Sequence, residues 1–358
     1  MGNYPFTILD VAEILKLNVR RRQLTNIDAD CPFCGHKKGK MNINFAKNVF
    51  RCNYCNESGG MIDLYAKLYH ISTYEAFNEI CEILKCNKDI SDYEKPIKQH
   101  KEIVSNLEQK EKADLDTRHR TYTALLSQLI LTDYHKESLI NRGLSNDQIV
   151  KYSYKSTPAF GFDRLVATLV SNEYELDGVP GFYTKKNNTY GINFNKKTTG
   201  ILIPICSITG KIEGFQIRLD KAFDDRKYIW FSSSNHFRGT SVGGPAHFIG
   251  NPLSKTVYVT EGALKANIAH VLSGKTFIAV PGVNHYKSLE SIFTQLKQTG
   301  TTDIVEAYDM DKYTNIHVEK ACMNMICLAN NFGFNVHRLK WNDKYKGIDD
   351  WLYSMKNK

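Results

Sequence analysis

The chain has 358 residues, 42% of them hydrophobic, with 47 Lys and Arg against 38 Asp and Glu for a net charge of +9. That length allows two or three domains with ordinary cores, and the charge favours an anionic partner without specifying one. No apolar run reaches the length of a membrane span and Met1-Gly-Asn-Tyr-Pro5 lacks a signal-peptide core, so neither a membrane protein nor a secreted one is expected, and a cytoplasmic location is.

The first block, residues 1–86, holds two Cys-x-x-Cys pairs between helical patterns. Leu9 to Leu17 is the first pattern. The second runs from Ile62 to about Leu84 with a break near Ile71-Ser72, where Ser72 and Glu75 have capping-box spacing. Cys31-Pro-Phe-Cys34 and Cys52-Asn-Tyr-Cys55 are separated by seventeen residues, the spacing of a zinc ribbon. Each pair aims two thiolates at one point, and two pairs fill a tetrahedron with no position left for water, so the expected zinc is structural. His36 is nearby but redundant beside four thiolates. Lys40 to Phe45 and Asn48 to Arg51 read as the hairpin that carries the second pair.

Arg20, Arg21, Arg22, Lys37, Lys38, Lys40, Lys47 and Arg51 surround the cysteines, interleaved with Phe33, Phe45, Phe50 and Tyr54. This composition suits single-stranded nucleic acid, through phosphate pairing and base stacking. It equally suits a solvated basic face whose aromatics fill a very small core. Nine cysteines are an odd number for a disulfide framework; Cys81, Cys86, Cys206, Cys322 and Cys327 lie in apolar or helical contexts and read as free thiols.

Residues 87–120 are rich in Lys, Glu, Asp and Gln and poor in aromatics, as in a charged linker. Residues 121–254 begin with a helical stretch from Thr121, with Gly143 as a helix stop and Ser145 as the cap of the next helix. Strand-like runs follow at Gly200 to Ile205 and Lys211 to Arg218. In residues 255–358 strands and helices alternate. Val257–Thr260, a helix from Ala263, Phe277–Val280, a helix near 287–298, Ile304–Tyr308, a helix near 316–330 and Asn335–Lys340 predict a mostly parallel sheet with crossover helices. The fold class is therefore multidomain α/β: a zinc ribbon, an α+β segment, then a parallel α/β sheet.

Carboxylates sit at the ends of those strands. Glu261-Gly262 closes Val257–Thr260, where ligands of open α/β sheets bind, and Gly262 allows a tight turn into the helix. Asp309-Met-Asp311 follows another strand, whose alternation would put both aspartates on one side. Glu261, Asp309 and Asp311 brought together make a hard-oxygen site for magnesium or manganese, able to activate a hydroxyl and steady a triphosphate leaving group. Asp349-Asp350 adds a second acidic pair. A lone Asp-x-Asp is a common loop feature; its position after a strand is what gives it weight.

Over most of its length the chain resembles the bacterial DnaG-type DNA primases. Cys31-Pro-Phe-Cys34, Met41 to Phe45, Cys52-Asn-Tyr-Cys55, Gly59-Gly60 and Ile62-Asp-Leu64 are similar to that family's zinc-binding domain, with Cys34 where the family usually has His. Arg142-Gly-Leu-Ser145 resembles the start of its RNA polymerase domain, and Gly210 to Arg218 its basic strand pair. Lys227-Tyr228 and Phe237-Arg-Gly239 resemble segments that hold DNA or nucleotide phosphates. Glu261, Asp309 and Asp311 match the motifs of the Toprim fold. Val179-Pro-Gly-Phe182, Thr260 to Lys265 and Gly347 to Asp350 look closer to a phage- and mobile-element-associated branch.

The resemblance implies a primase making short RNA on a single-stranded DNA template from NTPs. Glu261, Asp309 and Asp311 would hold the divalent metal with Asp349 and Asp350 assisting, and Lys211, Arg218, Lys221, Arg226, Lys227, Arg238 and Lys265 would lie along DNA or nucleotide. There are two departures. Lys265 stands where the family has an acidic residue, which suits either a triphosphate partner or a non-catalytic DNA-binding accessory protein. The resemblance also includes no helicase-binding domain, so a replicative helicase would be met through another surface. A Toprim nuclease is a third reading.

Overall fold

The computed structural model describes residues 4–85, 110–185, 187–223 and 226–356. Cys86 and most of the charged segment, residues 87–109, lie outside the described residues. The chain divides into two units, Met1–Glu108 and Gln109–Lys358.

In the first unit a short helix, Ile8–Ile14, leads into an antiparallel meander of β1 (Val19–Arg22), β2 (Asn26–Ala29), β3 (Met41–Asn44), β4 (Val49–Cys52) and β5 (Ser58–Gly60). β3 and β4 are the predicted hairpin, in register from Met41 opposite Cys52 to Asn44 opposite Val49. β1 was not anticipated, because Val-Arg-Arg-Arg has no alternation of apolar and polar residues to signal a strand. Two helices follow, Met61–Tyr69 and Thr73–Ile83, split where expected: Ser72 caps the second, accepting from the Glu75 amide while Glu75 accepts from Ser72. Alternate residues of the meander, Ile27, Ala29, Met41, Ile43 and Phe50, turn inward against Ile8, Val11, Leu64 and Ile80.

The second unit opens inside the segment whose composition reads as linker. Its first helix is Leu115–Ser127, six residues earlier than expected, capped by Asp114 and burying Arg118, Thr121 and Tyr122. The buried Arg118 guanidinium donates to the carbonyls of Ala113 and Glu213, so a polar stretch is helical because its cation has internal acceptors. Helices Asp133–Ile140 and Asn146–Lys151 follow, the latter capped by Ser145, with Gly143 at φ +97° before it.

After β6 (Lys155–Ser156) and the helix Phe162–Ser171, β7 (Phe182–Thr184) and β8 (Tyr190–Ile192) form a small hairpin. β9 (Gly200–Cys206), β10 (Ile212–Phe223) and β11 (Arg226–Trp230) complete an antiparallel sheet in the order β11-β10-β9-β6. One face of it, through Leu202, Phe215 and Ile217, meets Tyr122, Leu125 and Phe231. The other face, through Ile201, Ile203 and Ile205, packs on Ala263, Leu264 and Ile268 of the helix Ala263–Ser273.

That helix belongs to the last sheet: β12 (His247–Ile249), β13 (Thr256–Glu261), β14 (Thr276–Val280), β15 (Asp303–Glu306) and β16 (Asn335–Arg338), in the order β12-β14-β13-β15-β16. β13 pairs parallel with both β14 and β15, and β15 with β16; β12 runs antiparallel at the edge. The sheet is thus mixed, with the predicted parallel strands at its centre. Its order reverses beside β13, where chain connections leave in opposite directions, the position at whose strand ends open α/β sheets bind ligands. The helices Glu290–Gln298, Ile316–Asn331 and Ile348–Lys356 complete the unit.

Candidate functional site

Two clusters of potential metal ligands occur among the described residues: Cys31, Cys34, Cys52 and Cys55, and Glu261, Asp309 and Asp311, each with ligand atoms within 4.8 Å of one another. The first is a tight thiolate tetrad. Cys31 Sγ lies 3.8 Å from Cys55 Sγ, and Cys34 Sγ 4.0 Å from Cys52 Sγ. Zinc with Zn–S bonds of about 2.3 Å needs edges of roughly 3.8 Å, so the tetrad fits the ion. Amides of Tyr54 and Cys55 point at Cys52 Sγ, at 3.4 and 3.5 Å. The hydrogen bond with Cys31 and the amides of Tyr54 and Cys55 hold the Cys52 thiol below its ordinary pKa, which favours the thiolate that zinc binds. His36 is not a member: its Nδ1 accepts from the Lys38 amide and its ring lies against Tyr54, centroids 4.4 Å apart.

The aromatics around the tetrad mostly serve the small core. Phe50 is buried, Phe33 stacks on it at 5.6 Å, and Phe45 and Tyr54 pack against the same cluster. Arg20 pairs with Asp30 at 2.7 Å. The reading of these rings as open stacking platforms is therefore weakened, while the basic rim stays on the surface.

The second cluster lies at the strand ends beside β13. Glu261 ends that strand, and Gly262, at φ +74° with open space where a Cβ would project, turns the chain into the helix Ala263–Ser273. Asp309 and Asp311 meet Glu261 by a different route from the one expected. β15 stops at Glu306, and the aspartates belong to a short 3-10 turn, Met310–Tyr313, begun by Asp309. The turn, not strand alternation, brings both carboxylates to one side. The Asp309 amide donates to Glu261 Oε1 at 3.4 Å, and the Met310 amide to the Lys346 carbonyl at 2.9 Å.

Burial, and then the charge of Asp309, pushes Glu261 up to about 7. Such a set of crowded oxygen ligands needs a cation. Lys265 supplies part of it by pairing with Asp309, and Lys346 Nζ reaches Asp311 Oδ2 at 2.7 Å. Burial works against the Lys265 charge, but the carboxylates of Asp309, Glu261 and Asp349 together hold its pKa above the ordinary lysine value.

Asp349 and Asp350 part company. They open the helix Ile348–Lys356, where successive side chains diverge by a helical step. Asp349 is 5% exposed and is pushed up to about 6 by burial, with Lys265 acting in the opposite sense; Asp350 is exposed. Neither joins the group of three. Arg142 Nη1 reaches Asp349 Oδ2 at 3.7 Å, which ties the Arg-Gly-Leu-Ser segment to this helix.

Of the cations expected to meet DNA or nucleotide, Lys265 lies against the carboxylates. Lys211 instead pairs with Asp116. Arg218 is half-buried on β10 opposite Tyr228, and Lys221, Arg226 and Lys227 are exposed toward the far end of the β10–β11 hairpin. Arg238 has a left-handed backbone, φ +47°, and its guanidinium lies over the Phe237 ring at 5.2 Å.

Sequence reading missed the pin beneath the aspartates. Glu306 and Lys312, 0% and 1% exposed, form a buried ion pair with Lys312 Nζ 2.8 and 3.0 Å from the two Glu306 oxygens and 3.0 Å from the Leu339 carbonyl. The Tyr308 amide donates to Glu306 Oε1 at 2.7 Å and Arg338 Nε to Oε2 at 3.1 Å. These bonds clamp both ends of the turn that carries Asp309 and Asp311. The signal was present as a charged residue inside the apolar run Ile304 to Tyr308, which requires a buried partner. A cavity of about 1030 Å³ lies elsewhere, lined by Tyr154, Cys206, His247 and Asn267 among others and by none of the three carboxylates.

Residues 6–123 match the CHC2 zinc finger of DnaG, and residues 249–358 match a domain of unknown function, DUF3854. A DNA primase of Lactococcus lactis subsp. lactis is 24% identical over 313 residues, which are 81% of this chain and 46% of that protein. A DNA primase of Buchnera aphidicola subsp. Baizongia pistaciae is 24% identical over 242 residues, 66% of this chain and 40% of that one. The chain thus spans less than half the length of these relatives. The crystal structure of the Aquifex aeolicus primase, comprising zinc-binding and RNA polymerase domains, aligns with TM-score 0.51 and 17% identity over 96% of this chain and 80% of that one. The RNA polymerase domain of Mycobacterium tuberculosis primase aligns with TM-score 0.50 and 16% identity over 67% of this chain and 81% of that one. In its zinc ribbon and its sequence the chain is similar to bacterial DNA primases, and it shares the fold of the solved primase structures.

Proposed function

We propose that this protein is a primase: a DNA-directed RNA polymerase that joins NTPs into short primers on single-stranded DNA. The observation that carries the reading is the meeting of Glu261, Asp309 and Asp311, ligand atoms within 4.8 Å, at the strand ends of a chain related to DNA primases. Domain roles follow the sequence boundaries: residues 1–86 as the zinc-binding domain, 121–254 as the first part of the polymerase region, and 255–358 as a Toprim-like catalytic part. Segments similar to a phage- and mobile-element-associated branch are the support for replication of such an element as the setting. A replicative helicase is the natural further partner. No helix among the described residues is long and apolar enough to cross a membrane.

Glu261, Asp309 and Asp311 are a hard-oxygen donor set whose crowding suits magnesium or manganese. When bound, the ion would lower the pKa of a primer 3′-hydroxyl and offset charge on the triphosphate. The chain's own residues do the rest. The pin formed by Glu306 and Lys312 holds the two aspartates in register with Glu261. Lys346, on Asp311, limits mutual repulsion of the carboxylates. Arg218, Lys221, Arg226 and Lys227 would track the backbone phosphates, a contribution that falls as salt rises.

The test is primer synthesis from labelled NTPs on mixed single-stranded templates with magnesium or manganese, alongside Asp309→Ala/Asp311→Ala. Short products from the wild type only are expected. The contact of Lys265 with Asp309 favours a second reading, a DNA-binding accessory protein without catalysis. Intact DNA binding with no product on any template would establish that instead, and shortened template would indicate a nuclease.

A further inference from the structure

The Asp309 carboxylate already has a cation. Lys265 lies on the first turn of Ala263–Ser273, and helix geometry sends its side chain back toward the strand end that carries Glu261. A positive charge in a helix's first turn opposes the macrodipole, so Lys265 is unfavourable there unless carboxylates compensate. They do: Nζ pairs with Asp309, and the Asp349 charge also acts on it.

The pocket is shaped for this lysine. Gly347 has no left-handed backbone to explain it; a Cβ there would stand 2.4 Å from Asp349 Oδ1 and 3.1 Å from Lys265 Cε. The glycine therefore leaves room for the lysine stem and the neighbouring carboxylate oxygen. That oxygen, Asp349 Oδ1, is buried with no hydrogen-bond partner, and the charge of Lys265 acts on its carboxylate.

We infer that Lys265 is a resident cation occupying the place of a second divalent ion, so that this site takes one divalent ion where paired-ion sites take two. Of the two lysines that pair with the trio, Lys265 is held in the interior against Asp309, whereas Lys346 on Asp311 is largely exposed. Asp309 meets Lys265 through Oδ1 and keeps Oδ2, with Lys346 4.0 Å away, for the ion. Two-ion polymerisation sites flank the reacting phosphate with two metals about 3.5–4 Å apart. For the primer synthesis proposed above, on which this inference rests for its meaning, an ammonium fixed by the fold replaces one of them.

The test is Mn²⁺ titration of the zinc-loaded full chain, with free Mn²⁺ read by electron paramagnetic resonance. Wild type is expected to bind one Mn²⁺, Asp309→Ala/Asp311→Ala none, and Lys265→Glu two. Retained zinc and an unchanged cooperative melt establish that Lys265→Glu is folded; Lys265→Asp serves if it is not. Two Mn²⁺ on the wild type, none on it, or one on both folded acidic variants would overturn the inference. The polymerase reading fails separately: one Mn²⁺ without primer synthesis removes that reading and leaves the lysine assignment, and synthesis with two Mn²⁺ does the reverse.

Discussion

The thiolate tetrad and the carboxylate trio solve opposite problems. The tetrad is closed: four sulfurs on two local turns surround one point, with edges already near 3.8–4.0 Å and amides aimed at Cys52. The trio is open and assembled from distant parts of the chain, with Glu261 ending β13 and Asp309 and Asp311 beyond β15. A closed soft site stabilises a small domain whose core is limited; an open hard site leaves room for a substrate oxygen. The difference separates a site that holds a domain together from the site proposed to act.

The largest effect should come from the closed site. Cys52→Ser, or zinc extraction, is expected to unfold residues 1–85, since structural zinc carries on the order of 10 kcal/mol of folding free energy. Zinc content and the loss of that unit's cooperative melt report it, while the transition of the second unit should persist. If residues 1–85 keep their melt without metal, the ribbon is held by its core alone.

Next is the pin beneath the open site. Lys312→Met leaves the buried Glu306 with Arg338 as its remaining cation and should destabilise the second unit by about 3 kcal/mol, seen in urea unfolding. Glu306→Gln/Lys312→Met, with both charges removed, should recover much of that loss. Equal losses in single and double variants would mean the pair does not act as a unit. Gly347→Ala is smaller, about 1–3 kcal/mol from overpacking, because the added methyl meets Asp349 Oδ1 and the Lys265 stem.

Protons provide a gentler comparison. Glu261 rises from 4.5 to about 7 on folding. Between those values the native chain holds more protons than the unfolded one, so the metal-free second unit should lose stability as pH rises through that window. Added Mn²⁺ should flatten or reverse the slope, and below about pH 7 its affinity should fall up to tenfold per pH unit, since binding must displace the Glu261 proton. Melts from pH 5 to 8, with and without Mn²⁺, check the sign. The smallest effect is expected for Asp350→Asn, which points away from the trio and should leave Mn²⁺ affinity within twofold in the same titration.

Much of this was legible in the sequence where the determinants are local. Two Cys-x-x-Cys turns announce their own geometry, Ser72 and Ser145 announce helix starts, and Glu261-Gly262 announces a strand end with a tight turn. Legibility failed where a partner lies far along the chain. Residues 115–120, the first turns of Leu115–Ser127, read as linker because nothing local shows that Arg118 will find the carbonyl of Glu213. Glu306 needs Lys312 and Arg338, and Lys265 needs Gly347 to make room, neither of which a local pattern encodes. The Asp-x-Asp motif was rightly placed after a strand, but strand alternation was the wrong mechanism, because a 3-10 turn positions the pair. Basic residues were the least readable: Lys211 and Lys265 look alike in sequence, yet one pairs with Asp116 on the first helix of the unit and the other lies among the carboxylates.

The most direct measurement is a crystal grown with zinc and soaked in Mn²⁺, with anomalous scattering recorded at both metal edges. The account predicts zinc among Cys31, Cys34, Cys52 and Cys55, and one manganese peak at Glu261, Asp309 and Asp311 with Lys265 beside it. Zinc in the tetrad with no manganese at the carboxylates would contradict the claim that the acidic cluster is the protein's working metal site.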